Sequence, residues 1–152
     1  MKEIKLTQNT VTQVDDEDYE YINQWKWHTQ SNKVTKYAVR TSNKIAMHRV
    51  IMNTPKGLQV DHIDHNGLNN QKANLRNCTH GQNQMNRKSS GKSKYLGVYL
   101  DKRNRTKKFR AMIRVDNKNI YLGSFLNERE AALVYNDNAI IYHGEFAKLN
   151  IL

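Results

Sequence analysis

Asp61 and His62 stand side by side in Val60-Asp61-His62-Ile63-Asp64, a stretch that reads as a short strand. His65-Asn66-Gly67 follows, with Asn-Gly suited to positive backbone angles and so to a tight turn. Thr79-His80-Gly81-Gln82 has the form of a capping box and predicts an Asn-bearing helix from about Gln82 to Lys88. Strand, turn and returning helix can gather a carboxylate, an imidazole and an amide around one point. A carboxylate and an amide oxygen are hard donors suited to Mg²⁺. An unligated histidine is a base near neutral pH. Hydrolysis of a phosphodiester needs a divalent cation, a base for water and a fixed phosphate. An isolated histidine on an apolar strand would be a packing residue; Asp61 before His62 and the Asn-rich stretch after it favour chemistry. Asp64 and Asn66 are expected to hold the turn. His65 and His80 have no assigned role, and Cys78 reads as a small packed residue.

The run VDHIDHNGLNNQKANLRNCTHGQNQMNR, with Met47-His48-Arg49 upstream, resembles the HNH endonuclease motif of phage and intron-encoded homing nucleases. The resemblance implies a ββα-metal unit that cuts DNA with Mg²⁺ or another divalent cation such as Mn²⁺. It implies that Asp61 and Asn83 bind the metal, that His62 is the general base and that Asn74 steadies the loop. His48 is expected to pack or hydrogen-bond beneath the site. Activity should rise with pH near the ordinary histidine value of about 6.5.

The elements around this motif imply an α+β protein. Residues 1–46 read as a short β-rich lobe, with Trp25, Trp27, Tyr37 and Val39 as core. Asp15, Asp16, Glu17 and Asp18 precede a short helix and complement its dipole. Met47–Asn53 reads as a helical stretch broken by Thr54-Pro55-Lys56-Gly57. The nuclease domain is placed at 1–88, with its ββα unit at about 58–88. Ser89–Ser93 reads as a flexible linker, leaving a second domain at 94–152. Strands are expected over Tyr95–Leu100, Lys107–Val115 and Asn119–Phe125, with a turn at Asp116-Asn117. A helix follows from the capping pattern at Asn127 to about Tyr142, ended by Gly144.

The net charge of +11 is local. Between Arg87 and Arg114 stand eleven basic residues and one acid, Asp101; the rest of the chain carries fourteen basic and thirteen acidic residues. With a pI near 9.8 and a mean hydropathy of -0.88, nucleic acid is the expected partner. No apolar run suggests a membrane span, and a single cysteine excludes an internal disulfide. In the second strand Phe109, Ala111, Ile113 and Val115 alternate with Lys108, Arg110, Met112 and Arg114, giving one buried face and one wet basic face. Ala131, Ala132, Tyr135 and Ala139 can lay the helix on the apolar side.

Residues 94–150 resemble the APETALA2-type DNA-binding domain of plant ethylene-response factors. The landmarks are Gly97-Val98, Ala111, Ile113-Arg114, Tyr121-Leu122-Gly123, Glu130-Ala131-Ala132, Tyr135, Gly144 and Leu149-Asn150. That resemblance implies a three-stranded antiparallel sheet on one helix, with the sheet in the DNA major groove. Arg114 matches a base-contacting arginine, and Tyr121 stands where a Trp is common. Leu96 and Tyr99 replace two DNA-contacting arginines, so the plant target does not transfer. Lys108, Arg110, Arg103 and Arg105 complete the expected DNA-binding set.

The reading is a homing-type endonuclease or nickase acting on double-stranded DNA. It is expected to be intracellular, in the cytoplasm of a bacterial host, and phage- or mobile-element-encoded. A monomer would nick and a homodimer could cut both strands. The alternatives are a DNA-binding regulator with an inactive HNH lobe and an RNA-binding protein; the RNA reading leaves Asp61, His62, Asn74 and Asn83 without a purpose.

Overall fold

Ile4, Thr12 and Val14 are the inward positions of an antiparallel pair, β1 (Lys2–Lys5) and β2 (Val11–Val14), in which Ile4 faces Thr12. This computed structural model describes residues 1–7, 9–32, 35–86, 92–103, 106 and 108–152. They divide into two compact units, Met1–His80 and Gly81–Leu152. The division therefore falls after His80, earlier in the chain than the expected linker at 89–93. Residues 89–91 of that linker lie outside the described residues. Ser93 is buried and its Oγ accepts from the Tyr95 backbone N–H at 3.0 Å, so it is a fixed part of the second unit.

In the first unit, α1 (Asp16–Ile22) has Asp16, Glu17 and Asp18 in its first turn, where carboxylates complement the helix dipole. The same acids also tie down a distant segment. Asp15 accepts from the Lys72 backbone N–H at 2.7 Å and from Gln71 Nε2 at 3.2 Å. Lys72 Nζ pairs with Glu17 and Asp18 at 2.6 and 3.0 Å. The hairpin of β3 (Trp27–Ser31) and β4 (Lys36–Arg40) adds Trp27 and Ala38 to a core of Ile4, Leu6, Val14, Ile22 and Met47. Val39 is buried as expected, but Trp25 and Tyr37 are only half-buried. Trp25 still packs against this core, and Arg40 lies 3.7 Å over its ring in a cation–π contact.

Helix α2 (Met47–Ile51) stops two residues earlier than expected because Asn53 takes a positive φ of 42°. β5 (Gln59–His62) pairs antiparallel with β6 (Leu75–Cys78), placing Asp61 opposite Arg76 and His62 opposite Leu75. A single 3-10 turn, Lys72–Asn74, precedes β6. α3 (His80–Met85) begins earlier than the Gln82 expected; its predicted continuation to 87–88 lies outside the described residues. β5, β6 and α3 succeed one another in ββα order. The turn after β5 differs from the expected Asn-Gly geometry: His65 carries the positive φ, 64°, and Gly67 does not. Asn66 instead closes the turn through its side chain, accepting from the Leu68 N–H at 3.1 Å.

In the second unit, β7 (Val98–Leu100), β8 (Phe109–Val115) and β9 (Lys118–Phe125) form an antiparallel sheet in that order. The first strand starts later than expected. Gly97 turns the chain at a φ of 75°, and the Asn150 side chain brackets Leu96, accepting from its N–H at 2.7 Å and donating to its carbonyl at 3.0 Å. Lys107, the expected start of β8, lies outside the described residues. Asp116 and Asn117 both have positive φ, 47° and 63°, as a two-residue type I′ hairpin requires. α4 (Glu128–His143) is capped by Asn127, whose Oδ1 accepts from Glu130 N–H at 2.8 Å, and ends at Gly144 with φ 54°. Its Ala131, Ala132, Tyr135 and Ala139 are buried with Val98, Ala111 and Ile113. Among the described residues no helix is long and apolar enough to cross a membrane.

Gly67 is set by space. A Cβ there would fall 2.6 Å from Tyr37 Cδ1 and closer still to the Lys36 carbonyl oxygen. Gly57, at a φ of 91°, has nothing within 4 Å. Gly67→Ala should therefore cost about 1–3 kcal/mol by overpacking, and Gly57→Ala about 1 kcal/mol of backbone strain. Urea midpoints of both variants check the order; equal losses would contradict it.

Candidate active site

Successive strand residues face opposite ways, so β5 presents Asp61 and His62 to different surroundings although both are buried. Asp61 meets Arg76 across the β5–β6 pair. Its Oδ2 accepts from Arg76 Nε at 2.9 Å and Nη2 at 2.7 Å, and both side chains are largely shielded from water. Two donors of one guanidinium meet one carboxylate oxygen in a dry place, so the orientation of Asp61 is fixed.

His62 enters an aromatic cluster. Its ring centroid lies 5.0 Å from that of His48, nearly perpendicular, and 5.7 Å from that of Tyr37. His48 and Tyr37 are themselves 5.5 Å apart. Nε2 of His62 stands 3.4 Å from Asn70 Oδ1. Burial pushes the His62 pKa down, against smaller upward pulls from the Asn70 hydrogen bond and from Asp64 and Asp61. The imidazole is thus neutral at pH 7 and basic, the state a proton acceptor needs. His48, on α2, is pushed down to about 3 by burial, by His62 and by Arg49. Its Nδ1 is closed off from solvent with no hydrogen-bond partner among the described residues. Burial also pushes up the phenol of Tyr37, so the whole cluster is uncharged.

Asn74 organises the loop between the strands. Its Oδ1 accepts from Asp64 N–H at 3.0 Å; its Nδ2 donates to Asp64 Oδ1 and to the Asn69 carbonyl, both at 2.9 Å. Asp64 also accepts from Asn66 N–H at 2.7 Å and Asn69 Nδ2 at 2.9 Å. Burial alone would raise the Asp64 pKa, but the hydrogen bonds from Asn66, Asn69 and Asn74 hold it below the usual range. Asp61, His62, Asn74 and His48 all belong to the first unit. Asn83 lies half-buried on α3, within the second.

A divalent cation is compatible with the donor chemistry. Within the first unit Asp61 supplies a buried, oriented carboxylate of the hard-donor type. Among the described residues no three His, Cys, Asp or Glu side chains are grouped to hold a metal.

On the sheet of the second unit, Lys108 and Arg114 are exposed, and Tyr121 is 58% exposed with its hydroxyl 2.7 Å from Ser124 Oγ. Arg110 is half-buried, its Nε 3.4 Å from Asp101 Oδ2. Arg103 is exposed, and Arg105 lies outside the described residues.

Sequence reasoning missed Arg76, Asn70, Thr12 and Tyr37. Arg76 was hidden because Leu75–Cys78 lacks a clear strand pattern; once β6 is paired, it falls opposite Asp61. Asn70 and Thr12 meet only through the tertiary fold.

The HNH endonuclease family pattern matches residues 46–85. A protein of Acanthamoeba polyphaga mimivirus, named an uncharacterized HNH endonuclease, is 32% identical over 136 residues, covering 85% of this chain and 68% of that relative. A likeness of that length runs well beyond residues 46–85 into the second unit. No solved structure matches the chain.

The His48 shift has a consequence for folding. The folded chain keeps His48 neutral down to about pH 3, whereas the unfolded chain takes up its proton near 6.5. The stabilisation is therefore complete above the unfolded value and declines as pH falls from 6.5 toward 3. About 2 kcal/mol should be lost between pH 7 and pH 5, and His48→Phe should flatten that decline. Urea titrations at several pH values check this; a native midpoint that does not move over that interval contradicts a buried neutral His48.

Proposed function

Because this chain belongs to the HNH endonuclease family, we propose that it is a metal-dependent DNA endonuclease of the homing type, whose C-terminal sheet holds the target site. The observation that carries the reading is His62, a buried neutral imidazole placed next to the oriented carboxylate of Asp61. In this mechanism His62 accepts a proton from the water that attacks phosphorus in line. The motif's spacing assigns Asp61 and Asn83 to the cation. When bound, Mg²⁺ or a similar ion supplies positive charge beside the scissile phosphate and the leaving 3′ oxygen. Arg76 holds Asp61 in one rotamer. Asn74 holds the loop that follows His62. His48 packs edge-on against the base and, being neutral, does not repel the proton His62 acquires.

The basic face of β8 supports duplex DNA as substrate and an APETALA2-like role for residues 94–152. Arg114 is exposed on a strand of a sheet whose other face is covered by α4, so it can reach base edges, while Lys108 suits phosphate. The viral relative is consistent with a mobile-element origin. One observation favours the rival reading, a DNA-binding regulator that does not cut: the Asp61 carboxylate already holds Arg76. Incubating supercoiled plasmid with the protein and Mg²⁺, with and without chelator, decides between the two.

Under the endonuclease reading, His62→Ala abolishes cleavage and leaves DNA affinity intact. Asp61→Ala raises the Mg²⁺ required or removes activity. Because burial lowers the His62 pKa, single-turnover cleavage should persist at pH values where an ordinary histidine is protonated, and fall only below them. That places the acid limb lower than the sequence alone suggests. Full cleavage by His62→Ala would sink the assignment.

The sheet is tested separately, by binding titrations on cognate and scrambled duplexes at several salt concentrations. Arg114→Ala should cost roughly 1–3 kcal/mol at one base pair and relax site choice. Lys108→Ala should weaken binding to every sequence alike and reduce the salt slope by about one. If neither variant changes affinity or preference, the sheet is not the reading surface.

A further inference from the structure

Asp101 is the one acid among the eleven basic residues between Arg87 and Arg114. On a face that holds a polyanion, a carboxylate lowers affinity for every sequence alike. Its place is nevertheless well fixed. Asp101 N–H donates to the Lys108 carbonyl at 2.6 Å, and its Oδ1 accepts from the Arg103 N–H at 3.0 Å. The other oxygen, Oδ2, stands 3.4 Å from Arg110 Nε. The Asp101 side chain is 16% exposed and that of Arg110 38%. A partly exposed pair of this kind contributes little stability, so its effect is to be sought in where it holds the arginine.

Arg110 occupies the middle strand of the sheet, opposite Tyr99 on β7 and Ser124 on β9. Its neighbour Ala111 is buried with the residues of α4, so alternation sends Arg110 to the open face together with Arg114. Four residues of strand separate the two arginines by about 13 Å, so they meet different base pairs. The Arg110 Nε is closed off from solvent, and with Asp101 it makes an ion pair rather than an aligned hydrogen bond. A carboxylate at Nε leaves the two terminal nitrogens of the fork for another pair of acceptors. Guanine offers such a pair in the major groove, O6 and N7. An arginine held near the root of its fork loses less freedom when it docks there, and it is less free to swing onto a phosphate.

We propose that Asp101 is a positioning residue that aims Arg110 at the edge of a guanine in duplex DNA. This rests on the reading of the sheet as a duplex-binding face. Asp101 thereby trades grip for choice: its charge weakens binding to all sequences, and its hold on Arg110 separates one base from the others.

The test uses the full chain without divalent cation, so that duplexes are bound and not cut. Selection from a random duplex library defines the preferred site of the native chain. Binding titrations then compare that site with its single-base variants and with a scrambled duplex. The expected result is a guanine preference that Arg110→Ala removes, roughly five- to hundredfold, at a position other than the one Arg114→Ala affects. Asp101→Asn keeps an acceptor for the Arg103 N–H and removes the charge. It should tighten binding to the scrambled duplex and weaken the guanine preference roughly two- to tenfold, the cost of ordering one long side chain. With Arg110→Ala already in place, Asp101→Asn should change no base preference. An Asp101 that only braces the turn would instead weaken binding to every duplex alike, and that result overturns the proposal. So does a guanine preference left intact by Asp101→Asn or by Arg110→Ala. If Asp101→Asn fails to fold, Arg110→Lys decides: it keeps the charge without the fork, and should lose the guanine preference while holding the salt slope. A preference retained by Arg110→Lys overturns the proposal. Base preference that follows Arg114 and not Arg110 overturns this proposal alone, whereas a native chain with no base preference overturns the sheet as reading surface as well.

Discussion

One amide holds the loop on which the candidate site depends. Between β5 and β6 the chain leaves the sheet and must return in register, so that Arg76 can face Asp61 and Leu75 can face His62. The backbone groups of that excursion have no ladder partners and must be satisfied some other way. Asn74 does much of this, binding the N–H and carboxylate of Asp64 and the carbonyl of Asn69. Asp64 accepts from Asn66, Asn69 and Asn74, so one carboxylate gathers both sides of the loop. Asn70 follows Asn69 directly, so the amide that faces His62 inherits its position from the same anchor. Asp15 and Lys72 secure the far end of the loop from the N-terminal helix. The acidic run 15–18, which reads in the sequence as a complement to the helix dipole, also closes the loop that frames the site.

Two neighbouring residues of β5 solve opposite electrostatic problems. A buried carboxylate must remain charged to attract a cation, and a buried base must remain uncharged to accept a proton. Arg76 serves the first need with a two-nitrogen grip on one oxygen. Such a buried pair contributes little net stability, since desolvation offsets the attraction; what it contributes is a fixed geometry. The second need is met by surrounding His62 with Tyr37 and with a second histidine that is itself uncharged. Were His48 protonated, its repulsion would oppose charge on His62 during the reaction. The low pKa of His48 is therefore suited to the proposed chemistry, and its cost appears as acid sensitivity of the fold.

Local rules made much of this legible. Alternation in Phe109–Val115, the Asn127 cap, the Gly144 stop and the Asp116-Asn117 turn depend on near neighbours, and the structure has all four. The core of the first unit was less readable. Trp25 packs against the core but stays half-buried, with Arg40, fifteen positions away, over its ring. The Asn66-Gly67 pair suggests positive φ, yet Gly67 is required by the approach of Lys36 and Tyr37 from another hairpin. β6 escaped because Leu75-Arg76-Asn77-Cys78 has buried ends and a polar middle, a pattern with no period of two. Within the site, residue types revealed the chemistry, whereas partners did not: nothing near Thr12 in sequence indicates that it meets Asn70.

On the proposed reading, the sheet of the second unit separates grip from choice. Its apolar side is closed by α4, where alanines let the helix lie close, so the outer side is rigid without depending on its own side chains. Charges on such a surface differ by how freely they move. Arg110 is half-buried beside Asp101, which offsets part of its charge and limits its reach. Lys108 and Arg114 are exposed, and the Arg114 guanidinium reaches the Asn117 side chain at 3.4 Å. A flexible lysine adapts to phosphates of any sequence, while a planar guanidinium braced at one end favours a defined acceptor pair. Tyr121, opposite Met112 on the neighbouring strand, adds a flat apolar surface beside them. On the proposed reading, the exposed Lys108 adds to the grip of this face on a polyanion, and the braced Arg114 adds to the choice among them.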